Sequence, residues 1–91
     1  MSTVQVAPQH STPIAAKILL REDTIRCSVA GMSETAARVV VPPHADVPGD
    51  FFLETMRDGV RRRVHVATRT VGEDAAELLV EFRGEGFVVW R

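Results

Sequence analysis

Arginine side chains and one serine-containing turn are the groups in this chain that could do chemistry. Ten of the eleven basic residues are arginine, and three of them are consecutive at 61–63. The planar guanidinium group binds phosphates in a bidentate manner and stacks on flat rings. The second group is the stretch 31-GMSETA-36, in which the Ser33 hydroxyl lies in a predicted turn. These residue types are suited to binding an anion or a protein surface.

Catalysis and metal binding have little support in the sequence. Ser33 has no evident base partner, because His44 and His65 are distant in sequence and no acidic residue is placed to orient either of them. Cys27 is the only cysteine, so it cannot form an intrachain disulfide, and no Cys/His spacing suggests zinc. We therefore expect a non-enzymatic protein with no catalytic residue, no metal and no cofactor.

The overall charge argues against a dedicated nucleic-acid-binding protein. The chain has 11 Lys and Arg against 12 Asp and Glu, a formal charge of −1, whereas such proteins usually show a clear basic excess. The N-terminal residues lack the pattern of a signal peptide, and the longest apolar runs are far shorter than the ~20 residues that span a bilayer. By default we expect a cytoplasmic location without membrane insertion.

Short strands must position these groups. Alternating apolar and polar residues predict a half-buried strand at 24–30, with Ile25, Cys27 and Val29 on its inner face. The same pattern in the arginine-rich strand places Arg61, Arg63, His65 and Ala67 on one face and Arg62 on the other. Further strands are predicted at 14–20, 37–41, 50–56, 60–70, 76–82 and 87–91.

Turn signals separate these strands every ~8–12 residues, which is typical of a sandwich or small barrel. The predicted fold class is therefore all-β, a small six- to seven-stranded antiparallel β-barrel with little or no helix. The acidic and alanine-rich start of 73–82 leaves a helix open there as an alternative. Residues 1–13 are predicted to be a flexible arm, and residues 14–91 to form the single domain.

The order of these parts resembles the PilZ domain, a small bacterial β-barrel module, over about residues 14–82. Four stretches carry the resemblance: 27-CSVAGMSETAARV-39, 47-VPGDFFL-53, 61-RRRVHVATR-69 and 78-LLVEF-82. The family binds cyclic di-GMP through an R-x-x-x-R segment before the barrel and a [D/N]-x-S-x-x-G turn on it. The resemblance implies a bacterial regulatory barrel connected with cyclic di-GMP signalling.

The ligand motif of this chain departs from the family pattern. Only Ser33 matches in the turn, because Gly31 replaces the Asp or Asn and Ala36 replaces the glycine. A methyl group at that last position makes a positive φ cost on the order of 1 kcal/mol. Residues 1–20 contain no arginine, and each missing charge-assisted contact would contribute ~1.5–3 kcal/mol. We therefore predict no useful affinity for cyclic di-GMP.

Two functions remain. The first is a regulatory adaptor that binds a protein partner or a second copy of itself. Its predicted surface combines Arg61, Arg63 and His65 with the terminal segment 87–91, where Trp90 acts as an anchor. The alternative is a sensor of cyclic di-GMP or another nucleotide that uses Ser33, Arg21, Arg26 and Arg38.

More ordinary interpretations of the same residues stay open. The arginine run could be a solvated face whose charges prevent an edge strand from pairing with another chain. It could also be an anion-binding patch that includes Arg38 and Arg69. Trp90 could close one end of the barrel. An arginine bias also arises in chains from GC-rich genomes, so the composition alone identifies no ligand.

Overall fold

The structure is a computed structural model that describes residues 13–89. These residues form seven strands and no helix: β1 (Ile14–Leu19), β2 (Thr24–Met32), β3 (Ala36–Val41), β4 (Asp50–Thr55), β5 (Val60–Val71), β6 (Ala76–Phe82) and β7 (Phe87–Val88). The predicted all-β fold class is confirmed. The helical alternative for 73–82 is wrong, because buried and exposed residues alternate along β6 as they do in a strand. Almost all of the predicted flexible arm, and Trp90, lie outside the described residues.

The sheet closes into a barrel of six antiparallel strands. Its strand order is β4-β1-β2-β3-β6-β5, and β4 pairs again with β5. The seventh strand, β7, lies beside β5 beyond the end of β6, where Phe87 is opposite Arg61. Because closure pairs both sides of most strands, little free strand edge is left for association with another chain.

Inward-facing apolar side chains fill the barrel. Among residues 13–89, twelve of them are 5% exposed or less and form one cluster: Ala16, Ile18, Val29, Ala37, Val39, Val41, Phe51, Leu53, Val64, Ala76, Leu78 and Val80. The outward positions between them carry most of the charged side chains. Strand alternation therefore decides which residues are available to a ligand or a partner.

A β-bulge interrupts the alternation of β5. The pairing with β6 shifts between Val66 and Thr68, so that Thr68 lies opposite Leu79. The extra residue, Ala67, reverses the direction of the side chains that follow. Arg69 consequently extends towards the loop before β4, where its Nη2 donates a hydrogen bond of 2.9 Å to the Ala45 carbonyl.

Arg62 contacts Phe82 and the buried Thr55 rather than extending from the outer surface. Its guanidinium carbon lies 5.4 Å from the centroid of the Phe82 ring, and its Nη1 donates to Thr55 Oγ1 at 3.4 Å. Thr55 in turn donates to Asp58 in the β4–β5 turn. Partial burial opposes ionisation of Asp58, but its pKa is lowered overall by the hydrogen bonds from Thr55 and the Val60 amide and by the charge of Arg62. Arg62 therefore stabilises the barrel rather than extending its outer surface.

Membrane-spanning helices are absent from residues 13–89.

Candidate functional site

The Ser33 hydroxyl is occupied in closing the β2–β3 turn. Its Oγ accepts hydrogen bonds from the backbone amides of Thr35 (3.2 Å) and Ala36 (3.1 Å) and lies 3.3 Å from the Ala36 carbonyl. The Ser33 amide also donates to that carbonyl at 2.8 Å. This is the pattern by which serine stabilises a turn. A ligand would have to compete with these backbone bonds for the same oxygen.

Arg38 lies at the same end of the barrel as Ser33 but makes its own contacts. It is paired in register with Gly31, and its guanidinium Nε is 3.7 Å from the position that a side-chain carbon on Gly31 would occupy. Its Nη1 lies 3.7 Å from Glu77 Oε2, and both side chains are about half exposed. Arg38 is therefore an exposed residue in a weak surface ion pair.

The structure does not assemble the four residues predicted for a nucleotide site. Arg21 lies in the turn between β1 and β2, and Ser33 lies beyond the opposite end of β2. A strand of nine residues separates them, which is roughly 30 Å at the usual rise per residue. Arg26 is exposed within β2, opposite Lys17 of β1. No single mononucleotide could contact Arg21 and Ser33 together.

The residues predicted for protein contact, by contrast, lie on one outer surface. Arg61, Arg63 and His65 all face outward from β5, and β7 brings Phe87 alongside Arg61. Arg69 and Arg38 are not part of this surface, the first because of the β-bulge and the second because it lies on β3. Trp90 lies outside the described residues.

Two cross-strand rows make up this surface, which we call the basic face. The lower row runs across four strands and contains Arg26, Lys17, Glu54 and Arg61 in register, with Phe87 next to Arg61. The upper row contains Leu19, Phe52 and Arg63. Directly opposite residues have Cβ atoms about 5 Å apart, so the residues of each row are neighbours on the outer surface.

Glu54 is the buried acid of the basic face. It is only 6% exposed although it faces outward. Its Oε1 accepts hydrogen bonds from Arg61 Nη2 at 3.0 Å and Arg61 Nε at 3.3 Å. Lys17 lies opposite Glu54 on its other side. The carboxylate therefore holds Arg61 in a fixed position and offsets part of the positive charge of the row.

An apolar groove, which we call the Phe52 groove, lies beside the arginine residues of the basic face. Phe52 is 39% exposed and Phe87 50% exposed, and their rings meet edge to face with centroids 6.5 Å apart. The Phe52 groove has a volume of about 470 Å³ and is lined by Leu19, Leu20, Arg21, Pro48, Asp50, Phe51, Phe52, Arg61 and Arg63. Asp50 is held by His65, with Oδ1 and Nδ1 3.0 Å apart.

Two arginines at the rim of the Phe52 groove have no acidic partner in the described chain. Neither Arg21 nor Arg63 forms an ion pair with another residue of 13–89. Their guanidinium groups therefore keep their hydrogen-bond donors available to a ligand. The sequence indicated that Arg63 is exposed, but only the register shows that it lies beside Phe52.

The sequence did not indicate Lys17, Leu19 or Phe52 as members of a functional surface. Alternation along β1 and β4 is a signal that each of them faces outward. The pairing of β1 with β4 joins segments more than thirty residues apart in the chain, and no local pattern specifies it. These residues could therefore be found only after closure of the barrel.

Cys27 is a half-buried thiol on the inner face of β2. It packs against the core from its inward position on β2, as its alternation predicts. Burial raises the pKa of its thiol to about 12. Near neutral pH, Cys27 is therefore almost entirely in the thiol form, whereas the thiolate is the nucleophilic form.

No protein-family model, curated protein or solved structure matches this chain. The resemblance to the PilZ domain therefore stays a prediction from the sequence.

Proposed function

We propose that this chain is a non-enzymatic, PilZ-like regulatory adaptor that binds another protein through the basic face. The observation that carries the proposal is the exposed Phe52–Phe87 pair beside Arg61 and Arg63. Aromatic residues and arginine are the types that contribute most to protein interfaces. Barrel closure leaves few unpaired strand edges, so the contact would be made by side chains rather than by strand addition.

The alternative function, a cyclic di-GMP sensor, has less support. Its serine is engaged by two backbone amides, and its arginines lie at opposite ends and on different strands of the barrel. We expect no saturable binding of cyclic di-GMP below ~100 μM, which is less than about 5.5 kcal/mol of binding free energy. A calorimetric titration that gave a low-micromolar dissociation constant would support the sensor instead.

A photo-crosslinking amino acid placed in the full chain tests the adaptor function. Position 52 probes the basic face, and position 79 on β6 is a matched control, because Phe52 and Leu79 are 39% and 41% exposed. In the cells that normally make the protein, we expect a discrete crosslinked partner from position 52 and none from position 79. Equal labelling from both positions, or none from position 52, would contradict the proposal.

A second copy of the chain is the other partner that the sequence predicts. An unpaired apolar strand edge in the terminal segment would favour such self-association. Phe87 and Val88 pair with β5 instead, so one of the two edges of this segment is already covered. Sedimentation of the full chain beside a variant ending at Gly86 tests self-association, because a dimer held by β7 would dissociate on truncation.

A further inference from the structure

The floor of the Phe52 groove is suited to a large apolar side chain. Leu19 and Phe52 lie directly opposite each other on the outer surface, and neither belongs to the cluster that fills the barrel. Pro48 and Leu20 extend this apolar surface. A groove of about 470 Å³ is within the usual range of binding sites. Covering it would remove the exposed part of Phe52 from water, which is favourable by the hydrophobic effect.

The charge around the groove selects for acidic groups. Arg21 and Arg63 lie at its rim without an ion pair to any residue of 13–89, and Lys17 and Arg26 follow in the lower row. Among residues 13–89, the groove lining contains one carboxylate and the lower row another, and both are engaged, Asp50 by His65 and Glu54 by Arg61. The groove lining and the lower row together contain five Arg or Lys side chains against these two carboxylates, although the whole chain has a formal charge of −1.

We infer that the segment bound by the basic face is an acidic peptide of a partner protein that inserts at least one aromatic or large aliphatic side chain into the Phe52 groove. Its carboxylates would pair with Arg21 and Arg63 on either side of the apolar contact. This inference rests on the proposed adaptor function and specifies the chemistry of the partner. A nucleotide fits less well, because among residues 13–89 Asp50 is the only side chain of the groove lining that could accept a hydrogen bond from a base edge, and His65 already engages it.

A displayed library of random twelve-residue peptides, selected on the folded full chain, tests the inference. We expect the enriched peptides to combine Asp or Glu with Phe, Trp, Leu or Ile. Binding of the labelled synthetic peptides, measured by fluorescence anisotropy, should weaken at least tenfold with Phe52→Ser and with Arg63→Glu. It should also weaken when the salt concentration is raised from 50 to 300 mM, since salt screens exposed charges.

Matched variants on the opposite surface control for general effects on folding. Leu79→Ser removes an equally exposed apolar side chain, and Arg38→Glu reverses an exposed arginine outside the basic face. Both should bind the selected peptides within about twofold of the unaltered chain. Thermal unfolding of all four variants establishes whether each is folded. If Phe52→Ser does not fold, Arg63→Glu still provides the test.

The possible failures are distinguishable. Peptides that need Phe52 but contain no acidic residues, and that bind equally at both salt concentrations, would overturn the acidic partner and leave the adaptor function standing. Failure to enrich peptides that depend on Phe52 or Arg63 would also overturn the inference, and the crosslinking at position 52 would then decide the adaptor function separately. Occupation of the groove by a second copy or by cyclic di-GMP would equally contradict it.

Discussion

Replacing Glu54 with glutamine measures how far the basic face depends on its buried carboxylate. Glutamine keeps the shape and one oxygen acceptor but removes the charge that both Arg61 nitrogens contact. Hydrogen bonds to charged groups contribute about 1.5–3 kcal/mol. The Arg61 side chain is 35% exposed, and solvent screening lowers that contribution. We therefore expect Glu54→Gln to lower the free energy of unfolding by about 1–2 kcal/mol.

Urea unfolding at pH 7 measures this change, with Glu77→Gln as the control. Glu77 faces Arg38 at 3.7 Å, and the two side chains are 46% and 56% exposed, so this second substitution should cost no more than about 0.5 kcal/mol. In thermal unfolding, a loss of 1–2 kcal/mol corresponds to a Tm lower by about 4–16 °C for a domain of this size. The two losses in free energy of unfolding compare the stabilisation by a buried carboxylate with that by a solvated one in the same barrel.

A double-mutant cycle with Arg61→Gln isolates this ion pair from the other contacts of Glu54. We expect a coupling free energy of about 1 kcal/mol between the two positions. Removing the carboxylate should also tighten the binding of acidic peptides, because Arg61 then lacks its counter-charge. The reasoning would be refuted if Glu54→Gln lowered the free energy of unfolding no more than Glu77→Gln does and the coupling free energy were below about 0.3 kcal/mol.

Three further predictions follow from the interior and the turns. Cys27, with a pKa of about 12, should react with a disulfide reagent at pH 8 about 10²-fold more slowly in the folded chain than in denaturant, because the smaller thiolate fraction outweighs the greater nucleophilicity of a more basic thiolate. An equal rate in both states would mean that the thiol is accessible. The lowered pKa of Asp58 means that its ionised form stabilises the fold above the ordinary pKa of about 4 and that this contribution is lost as pH falls through the folded value. Urea unfolding between pH 5 and 3 should therefore show a smaller loss of stability for Asp58→Asn than for the unaltered chain, and identical losses would contradict this. Gly86→Val would place a Cβ 2.8 Å from Val60 Cγ1 and should detach β7, which is detected as faster hydrogen exchange at the Val89 amide that bonds to Gly59. Gly49→Ala is the control, since nothing lies within 4 Å of the added carbon, and equal exchange in both variants would show that β7 is not held as described.

The sequence by itself determined the strands and their inner faces. Alternation placed Ile25, Cys27 and Val29 inward on β2, and they pack in or against the core. It also separated Arg62 from Arg61 and Arg63, because neighbouring residues of a strand point to opposite faces. Local turn chemistry is equally informative, since an Asp-Gly pair is a hairpin signal, and Asp58 and Gly59 lie in the turn between β4 and β5 with Gly59 at a φ of 68°.

One strand shows where local alternation stops being sufficient. The pattern of β5 predicted that Ala67 continues the face of Arg61, Arg63 and His65, but the bulge at Ala67 ends that face after His65. A bulge is defined by the pairing of two strands, and the sequence of one strand does not contain that pairing. For this reason Arg69 contacts the Ala45 carbonyl rather than joining an arginine patch.

Only the tertiary structure decided which outward side chains are neighbours. Closure of the sheet pairs β1 with β4 and β4 with β5, which brings Leu19, Phe52 and Arg63 into one row and buries Glu54 between Lys17 and Arg61. The same closure separates Arg21 from the Ser33 turn by the length of β2. Alternation is a property of each strand, whereas strand order and register minimise the free energy of the whole barrel core. The composition and local pattern therefore predicted arginines on the surface, and the barrel determined which of them surround an apolar groove.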